Sequence, residues 1–248
     1  MAAFANGLAH GADGVELDVH LSRDGVPVVI HDPTVDRTTN GHGPVVAFSA
    51  AELAGLDAAS NFDAERGYPF RGLGHGVPTL ESVLAAWPTT RVIIEMKFGT
   101  APLAAAVVKV VRRHGAVSRV CLGSFQQVAL DAARALAPEI VTGASHMEAR
   151  WTLWRSWLRW PFRCDVPYSA YQVPVRFGRL TVASPAFVRQ AHRHGCRVQV
   201  WVVDAEDVAS SLLDWGVDGL ITDRPDVTVP LRDRWLARAH APALEKLA

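Results

Sequence analysis

Glu16 and Asp18 stand two residues apart in Gly14-Val15-Glu16-Leu17-Asp18-Val19-His20-Leu21, a strict alternation of apolar and polar residues. On a β-strand this spacing projects both carboxylates from one face and Val15, Leu17 and Val19 from the other. Glu95-Met96-Lys97 repeats the arrangement, with Ile94 and Met96 on the apolar side and Glu95 and Lys97 opposite. If helices cover the apolar faces, all four charges point inward, where carboxylates need a partner charge or a metal. Two readings follow, and each pair taken alone fits them equally. Lys97 can neutralise an acid in a buried salt-bridge network. Alternatively Glu16, Asp18 and Glu95 supply three hard oxygen ligands for Mg²⁺ or Ca²⁺, with Lys97 beside them as a cation suited to an anionic substrate.

His31 ends the run Val28-Val29-Ile30-His31-Asp32. An imidazole at a strand end beside a metal can transfer a proton near neutrality, its unperturbed pKa being about 6.5. Most of the other histidines, such as His114, His192, His194 and His240, fall in helix-end or basic contexts without a carboxylate pair. No Gly-x-Ser-x-Gly elbow occurs, and Cys121, Cys164 and Cys196 lie too far apart to suggest a disulfide framework or a zinc ribbon. A divalent cation, a lysine and an imidazole at strand ends fit phosphoryl transfer or phosphodiester hydrolysis.

The elements that must position these groups are legible from period. Ala2 to His10 reads as a helix stopped by Gly11. Ser22-Arg23-Asp24-Gly25 is a turn between the first strand and a second, Val26 to Ile30, and so short a connection closes only an antiparallel hairpin. Further strands are expected at Val92 to Met96, Val120 to Phe125, Ile140 to Ala144, Tyr168 to Val173, Val198 to Val203 and Gly219 to Thr222. Helices are expected between them, among them Ala101 to His114, Gln127 to Leu136, Pro185 to His194 and Glu206 to Trp215. The alternation implies a parallel α/β fold, a (β/α)₈ barrel or a doubly wound sheet, and no Gly-x-Gly-x-x-Gly follows any strand to favour the second. In Trp151 to Pro161, Trp151, Trp154, Trp157 and Trp160 alternate with Arg150, Arg155 and Arg159. The expectation is a barrel helix whose tryptophans pack inward while the arginine heads stay solvated; a membrane-surface segment or a cover over the active site is the competing reading.

With 25 Lys+Arg against 25 Asp+Glu in 248 residues, the net charge is zero, so an anionic ligand must be held by a local site and nucleic acid is not an expected partner. No window approaches the roughly 20 apolar residues of a membrane span, and no basic segment followed by an apolar one opens the chain. A soluble, cytoplasmic protein of one domain without membrane insertion is expected.

Gly11-Ala12-Asp13-Gly14-Val15-Glu16-Leu17-Asp18-Val19, Arg23-Asp24-Gly25-Val26-Pro27-Val28-Val29-Ile30-His31-Asp32, Asp36-Arg37-Thr38-Thr39-Asn40-Gly41, Val77-Pro78-Thr79-Leu80-Glu81, Ile94-Glu95-Met96-Lys97, Val200-Trp201-Val202-Val203-Asp204 and Gly216-Val217-Asp218-Gly219-Leu220-Ile221-Thr222-Asp223-Arg224-Pro225 together resemble the glycerophosphodiester phosphodiesterase family. The resemblance implies an α/β TIM (β/α)₈-type barrel with a small hairpin insertion over residues 1–230, leaving 231–248 as a C-terminal helical extension. It implies metal-dependent hydrolysis of a small-molecule glycerophosphodiester to glycerol 3-phosphate and an alcohol. By motif, Glu16, Asp18 and Glu95 would be the ligands of Mg²⁺ or Ca²⁺, His31 a catalytic histidine, Lys97 a phosphate contact and Trp201 a wall of the glycerol side. Family members open with a strand carrying His-Arg-Gly, whereas this sequence starts in the helix that follows, so a barrel short of its first strand and metal binding without efficient hydrolysis are expected. Two alternatives stand beside this: a phospholipase D or sphingomyelinase-like barrel acting on intact lipids, and a catalytically inactive phosphodiester-binding protein.

Overall fold

The alternation at Gly14–Leu21 does build a strand, β1, because Leu17 and Val19 are driven into a core while Glu16 and Asp18 keep the opposite face. A computed structural model describes residues 1–160 and 162–240. Its described residues divide into two compact units: Met1–Asn6 with Asp13–Met147, and Gly7–Ala12 with the described residues from Glu148 onward.

In the first unit the opening helix α1 (Ala2–Ala9) leads into β1, which folds back onto β2 (Pro27–Val29) as the turn sequence requires. The pairing is antiparallel, with Val19 opposite Val29 and Leu21 opposite Pro27. Two short helices follow, α2 (Ala50–Ala54) and α3 (Leu80–Ala86). Ser49 and Glu52 close a reciprocal capping box on α2, and the Thr79 side chain caps α3. A separate small core of Val28, Ile30, Val35, Val45, Leu53 and Val77 holds this inserted region together. The chain then alternates through β3 (Arg91–Met96), α4 (Ala101–Arg113), β4 (Val120–Gly123), α5 (Gln127–Leu136) and β5 (Val141–Thr142). The sheet order is β2-β1-β3-β4-β5, and every pair except β1 with β2 is parallel. Leu17, Val19, Ile94, Met96 and Leu122 from the strands pack on Leu103, Val107 and Val111 of α4 and Leu130 of α5. Each such buried side chain contributes about 1.5–3 kcal/mol relative to exposure.

The helix α6 (His146–Trp157) runs into the second unit. There follow β6 (Ala170–Pro174), a ribbon of β7 (Arg176–Phe177) and β8 (Leu180–Thr181), α7 (Pro185–Arg193), β9 (Arg197–Trp201), α8 (Glu206–Asp214), β10 (Gly219–Leu220) and α9 (Pro225–His240). β6, β9 and β10 form a parallel sheet in the order β10-β9-β6. All six later strand expectations are met within a few residues, whereas the β7–β8 ribbon, two residues a side around Gly178, gave no periodic signal. α9 already begins at Pro225, ahead of the expected boundary at 231, and residues 241–248 of the expected extension lie outside the described residues. No described helix is long and apolar enough to cross a membrane.

The tryptophans of α6 do not pack inward. Trp151, Trp154 and Trp157 are 59%, 60% and 51% exposed, while the inner stripe is Thr152, Leu153 and Ser156. The cause is a polar anchor beneath the helix. Thr152 Oγ1 lies 2.8 Å from the hydroxyl of fully buried Tyr171, which is also 3.1 Å from Tyr168 Oη and 3.3 Å from His194 Nδ1. Gln190 Nε2–H donates to His194 Nε2 at 3.1 Å, so His194 is neutral with its proton on Nδ1, and burial holds its pKa below the ordinary imidazole value. A stripe that satisfies two buried tyrosine hydroxyls has to be small and polar, and helical geometry then turns residues 151, 154 and 157 outward.

Candidate active site

β1 and β3 run parallel in a register that sets Asp18 beside Glu95. One carboxylate oxygen from each of Glu16, Asp18 and Glu95 lies within 4.8 Å of the others. Lys97, just past the end of β3, reaches back with its Nζ 3.0 Å from Asp18 Oδ1 and 2.7 Å from Glu95 Oε1. The three side chains of these ion pairs are only 16–21% exposed. Burial pushes the Glu95 carboxyl above the usual carboxylate range, against the opposing pull of Lys97. For Lys97, burial acts to lower the pKa, but the bonds and charges of Glu95 and Asp18 outweigh it and hold the ammonium protonated.

The two readings of the acids therefore converge on the same residues, and the geometry weighs them. Three carboxylates from two strands converge here, and Lys97 is shared between two of them, Asp18 and Glu95. Glu95 Oε1 is enclosed and accepts from the Lys97 ammonium at 2.7 Å. Three hard oxygen donors within 4.8 Å of one another also fit a divalent cation.

His31 stands at the rim of the same cavity, about 180 Å³ in volume, whose walls include His20, Asp32, Glu95, Lys97, Phe98 and Phe125. Arg37 grips Asp32 through Nε to Oδ2 at 2.5 Å and Nη2 to Oδ1 at 2.9 Å, and this guanidinium holds the Asp32 carboxyl far below the usual range. An ionised carboxylate only accepts, so His31 Nδ1–H donates to Asp32 Oδ1 at 2.7 Å. That fixes the tautomer of the neutral ring and leaves the lone pair on Nε2. Trp201 is half-buried at the end of β9, in the second unit.

Sequence reasoning passed over His20, Arg37 and two phenylalanines. His20 continues the alternation Glu16, Asp18, His20 along β1, which was a usable signal. It is 4% exposed, and its Nε2–H donates to the His31 carbonyl at 3.1 Å, tying the strand to the loop that carries His31. Burial holds its pKa below the ordinary value. Arg37 lies five residues after Asp32, a spacing that announces nothing before the loop is folded. Phe98 follows Lys97 with φ +49 and packs at a tilt against His20, ring centroids 5.6 Å apart, and Lys97 Nζ lies 5.8 Å from the Phe125 ring centre. Gly99 makes this bend possible, since a Cβ there would come within 2.7 Å of Ser124 Oγ and 2.8 Å of Gln126 Cβ.

Known proteins share this arrangement of strands and motifs. The family model described as "Glycerophosphoryl diester phosphodiesterase family" matches residues 1–227. A glycerophosphodiester phosphodiesterase of Caldanaerobacter subterraneus subsp. tengcongensis is 33% identical over 237 residues, covering 93% of this chain and 90% of that protein. The crystal structure of a glycerophosphodiester phosphodiesterase from Agrobacterium tumefaciens superposes with a TM-score of 0.73 at 30% identity, covering 92% of this chain and 91% of the other. A phosphodiesterase from Oleispira antarctica, solved in complex with the product sn-glycerol-3-phosphate, gives a TM-score of 0.70 at 27% identity, covering 94% and 89%. The fold is the TIM barrel of these enzymes, and the chain belongs to the glycerophosphoryl diester phosphodiesterase family of phosphoric diester hydrolases.

Proposed function

We propose that the cavity beside Glu95 and Lys97 binds a glycerophosphodiester and hydrolyses it to glycerol 3-phosphate and an alcohol, with a divalent cation held by Glu16, Asp18 and Glu95. The observation that carries this is the convergence of the three carboxylates within 4.8 Å beside a protonated lysine. The Oleispira complex with sn-glycerol-3-phosphate supports the substrate class. When bound, Mg²⁺ or Ca²⁺ supplies Lewis-acid polarisation of the phosphoryl group. Lys97 carries positive charge to the phosphate. His31 moves a proton at Nε2, oriented by Asp32, which Arg37 keeps ionised; His20 holds the His31 main chain in place. Trp201 is proposed to contact the glycerol moiety, on the strength of the family motif alone.

Hydrolysis uses one group to activate water and one to protonate the leaving alkoxide. Of the imidazoles lining the cavity, His31 is accessible, whereas His20 is buried and engaged with a carbonyl. The test is release of glycerol 3-phosphate from glycerophosphocholine, with and without Mg²⁺ or Ca²⁺, for this chain and its Glu16→Ala variant. Cation-dependent release, lost on Glu16→Ala, is expected. Cation-independent release, or release unchanged by Glu16→Ala, would refute the metal assignment.

A further inference from the structure

We infer that α6 and the segment after it form a docking surface for an anionic phospholipid bilayer. A helix on a folded protein ordinarily turns its large apolar residues inward. Here Thr152 and Ser156 face the interior, while Trp151, Trp154 and Trp157 form an outer ridge with Leu158, 66% exposed, and Phe162, 64% exposed, following it. Residues three apart on a helix are neighbours, and the Trp151 and Trp154 rings meet edge to face with centroids 6.4 Å apart. Contiguous apolar surface of this kind on a soluble unit marks an interaction site.

The occupant follows from charge and side-chain type. From Glu148 to Asp165 the chain contains Arg150, Arg155, Arg159 and Arg163 against two acids, Glu148 in the first turn of α6 and Asp165, 3.7 Å from Arg163, so the tryptophan ridge is net basic. Tryptophan favours the boundary between headgroups and acyl chains, and arginine pairs with phosphate. Arg159 also occupies the left-handed position closing α6, φ +48, where Trp160 N–H returns to Arg155 O at 2.9 Å. Glycine would relax that position, so the arginine is kept at a cost in backbone strain. A second copy of the chain is the poorer fit, because an isologous contact through this face would set one net-basic ridge against another. The inference uses none of the residues of the hydrolytic site, so it stands independently of the proposed reaction.

The test is sedimentation of the full chain with phosphatidylcholine vesicles with and without about 30% phosphatidylglycerol, for the wild type, a Trp151→Ser/Trp154→Ser/Trp157→Ser variant and an Arg150→Gln/Arg159→Gln variant. Binding to the anionic vesicles is expected, weakened at least tenfold by the tryptophan changes and about twenty-five-fold by the two arginine changes, at about fivefold per arginine. Turnover of soluble glycerophosphocholine and the melting temperature should not change. A second measurement needs no variant: lipids brominated in the acyl chain should quench the wild type's tryptophan fluorescence on binding. Absence of vesicle binding, equal binding by all three proteins, or a dimer in light scattering that the tryptophan changes abolish without any loss of lipid binding would each overturn the inference.

Discussion

The β1–β3 strand ends and the α6 helix break the same rule in opposite directions. At the strand ends, three carboxylates and a lysine are drawn into a confined space where apolar side chains would pack more cheaply. On α6, three tryptophans are pushed out where charge would be more soluble, and a threonine and a serine are kept inside. Both exceptions rest on well-made surroundings. Leu17, Val19, Ile94 and Met96 bury fully behind the acids, and the Tyr171 network satisfies the inner face of α6. The contrast teaches that a local violation supported by a consistent neighbourhood points to a ligand or a surface, and the sign of the violation tells which chemistry is sought.

This comparison can be broken at several points, the strongest first. Replacing His31 with alanine should lower kcat on glycerophosphocholine by about 10² to 10⁴ with KM within a few-fold, as for loss of a proton-transfer group. Near-wild-type turnover would remove His31 from the chemistry. Replacing Lys97 with methionine strips the carboxylates of their cation and should cost the metal-free protein about 3 kcal/mol. In denaturant titrations saturating Mg²⁺ should recover most of that loss; an equal loss with and without Mg²⁺ would argue that the acids share no cation site.

On the helix side, Thr152→Val leaves buried tyrosine hydroxyls short of a partner and should cost about 1–2 kcal/mol, whereas Trp154→Gln on the same helix should stay within about 0.5 kcal/mol. Thermal unfolding of the two variants measures the difference, and the reverse order would invalidate the assignment of the two faces. Between these lies Asp32→Asn. Arg37 is 63% exposed, so solvent screening limits the pair to at most about 1 kcal/mol. Asp32 has a depressed folded-state pKa, so its contribution is present above the unfolded value of about 3.9 and is lost as pH falls through the folded value. The stability gap between wild type and variant should thus be flat from pH 5 to 8 and narrow below about pH 4. A gap that widens in acid would contradict the pairing.

Much of the fold was legible because period-2 and period-3.6 patterns survive in short segments. β3, β4 and β9 and the helices α4, α5, α7 and α8 fall where the patterns put them. The short helix α2 was less visible, since five residues carry little period, although the Ser49/Glu52 capping pair was there to be read. Of the candidate site, Glu16, Asp18, Glu95, Lys97 and His31 were found from strand alternation and motif. His20 was missed although it continues the same alternation. Arg37 was missed because its bond to Asp32 exists only once the loop between them has closed.

The sequence by itself determined which side chains share a face: Glu16 with Asp18, Glu95 with Lys97, Trp151 with Trp154 and Trp157. Backbone geometry alone sets that, one residue at a time. Only the tertiary structure decided which face meets what. The parallel register of β1 and β3 sets Asp18 beside Glu95, turning two unremarkable pairs into one cluster of oxygen donors. The hydroxyls of Tyr168 and Tyr171 decided that α6 turns its tryptophans outward, because a buried hydroxyl without a partner costs more than a smaller apolar contact. Periodicity defines faces, and the inward face is chosen by the neighbour whose polar groups must be satisfied.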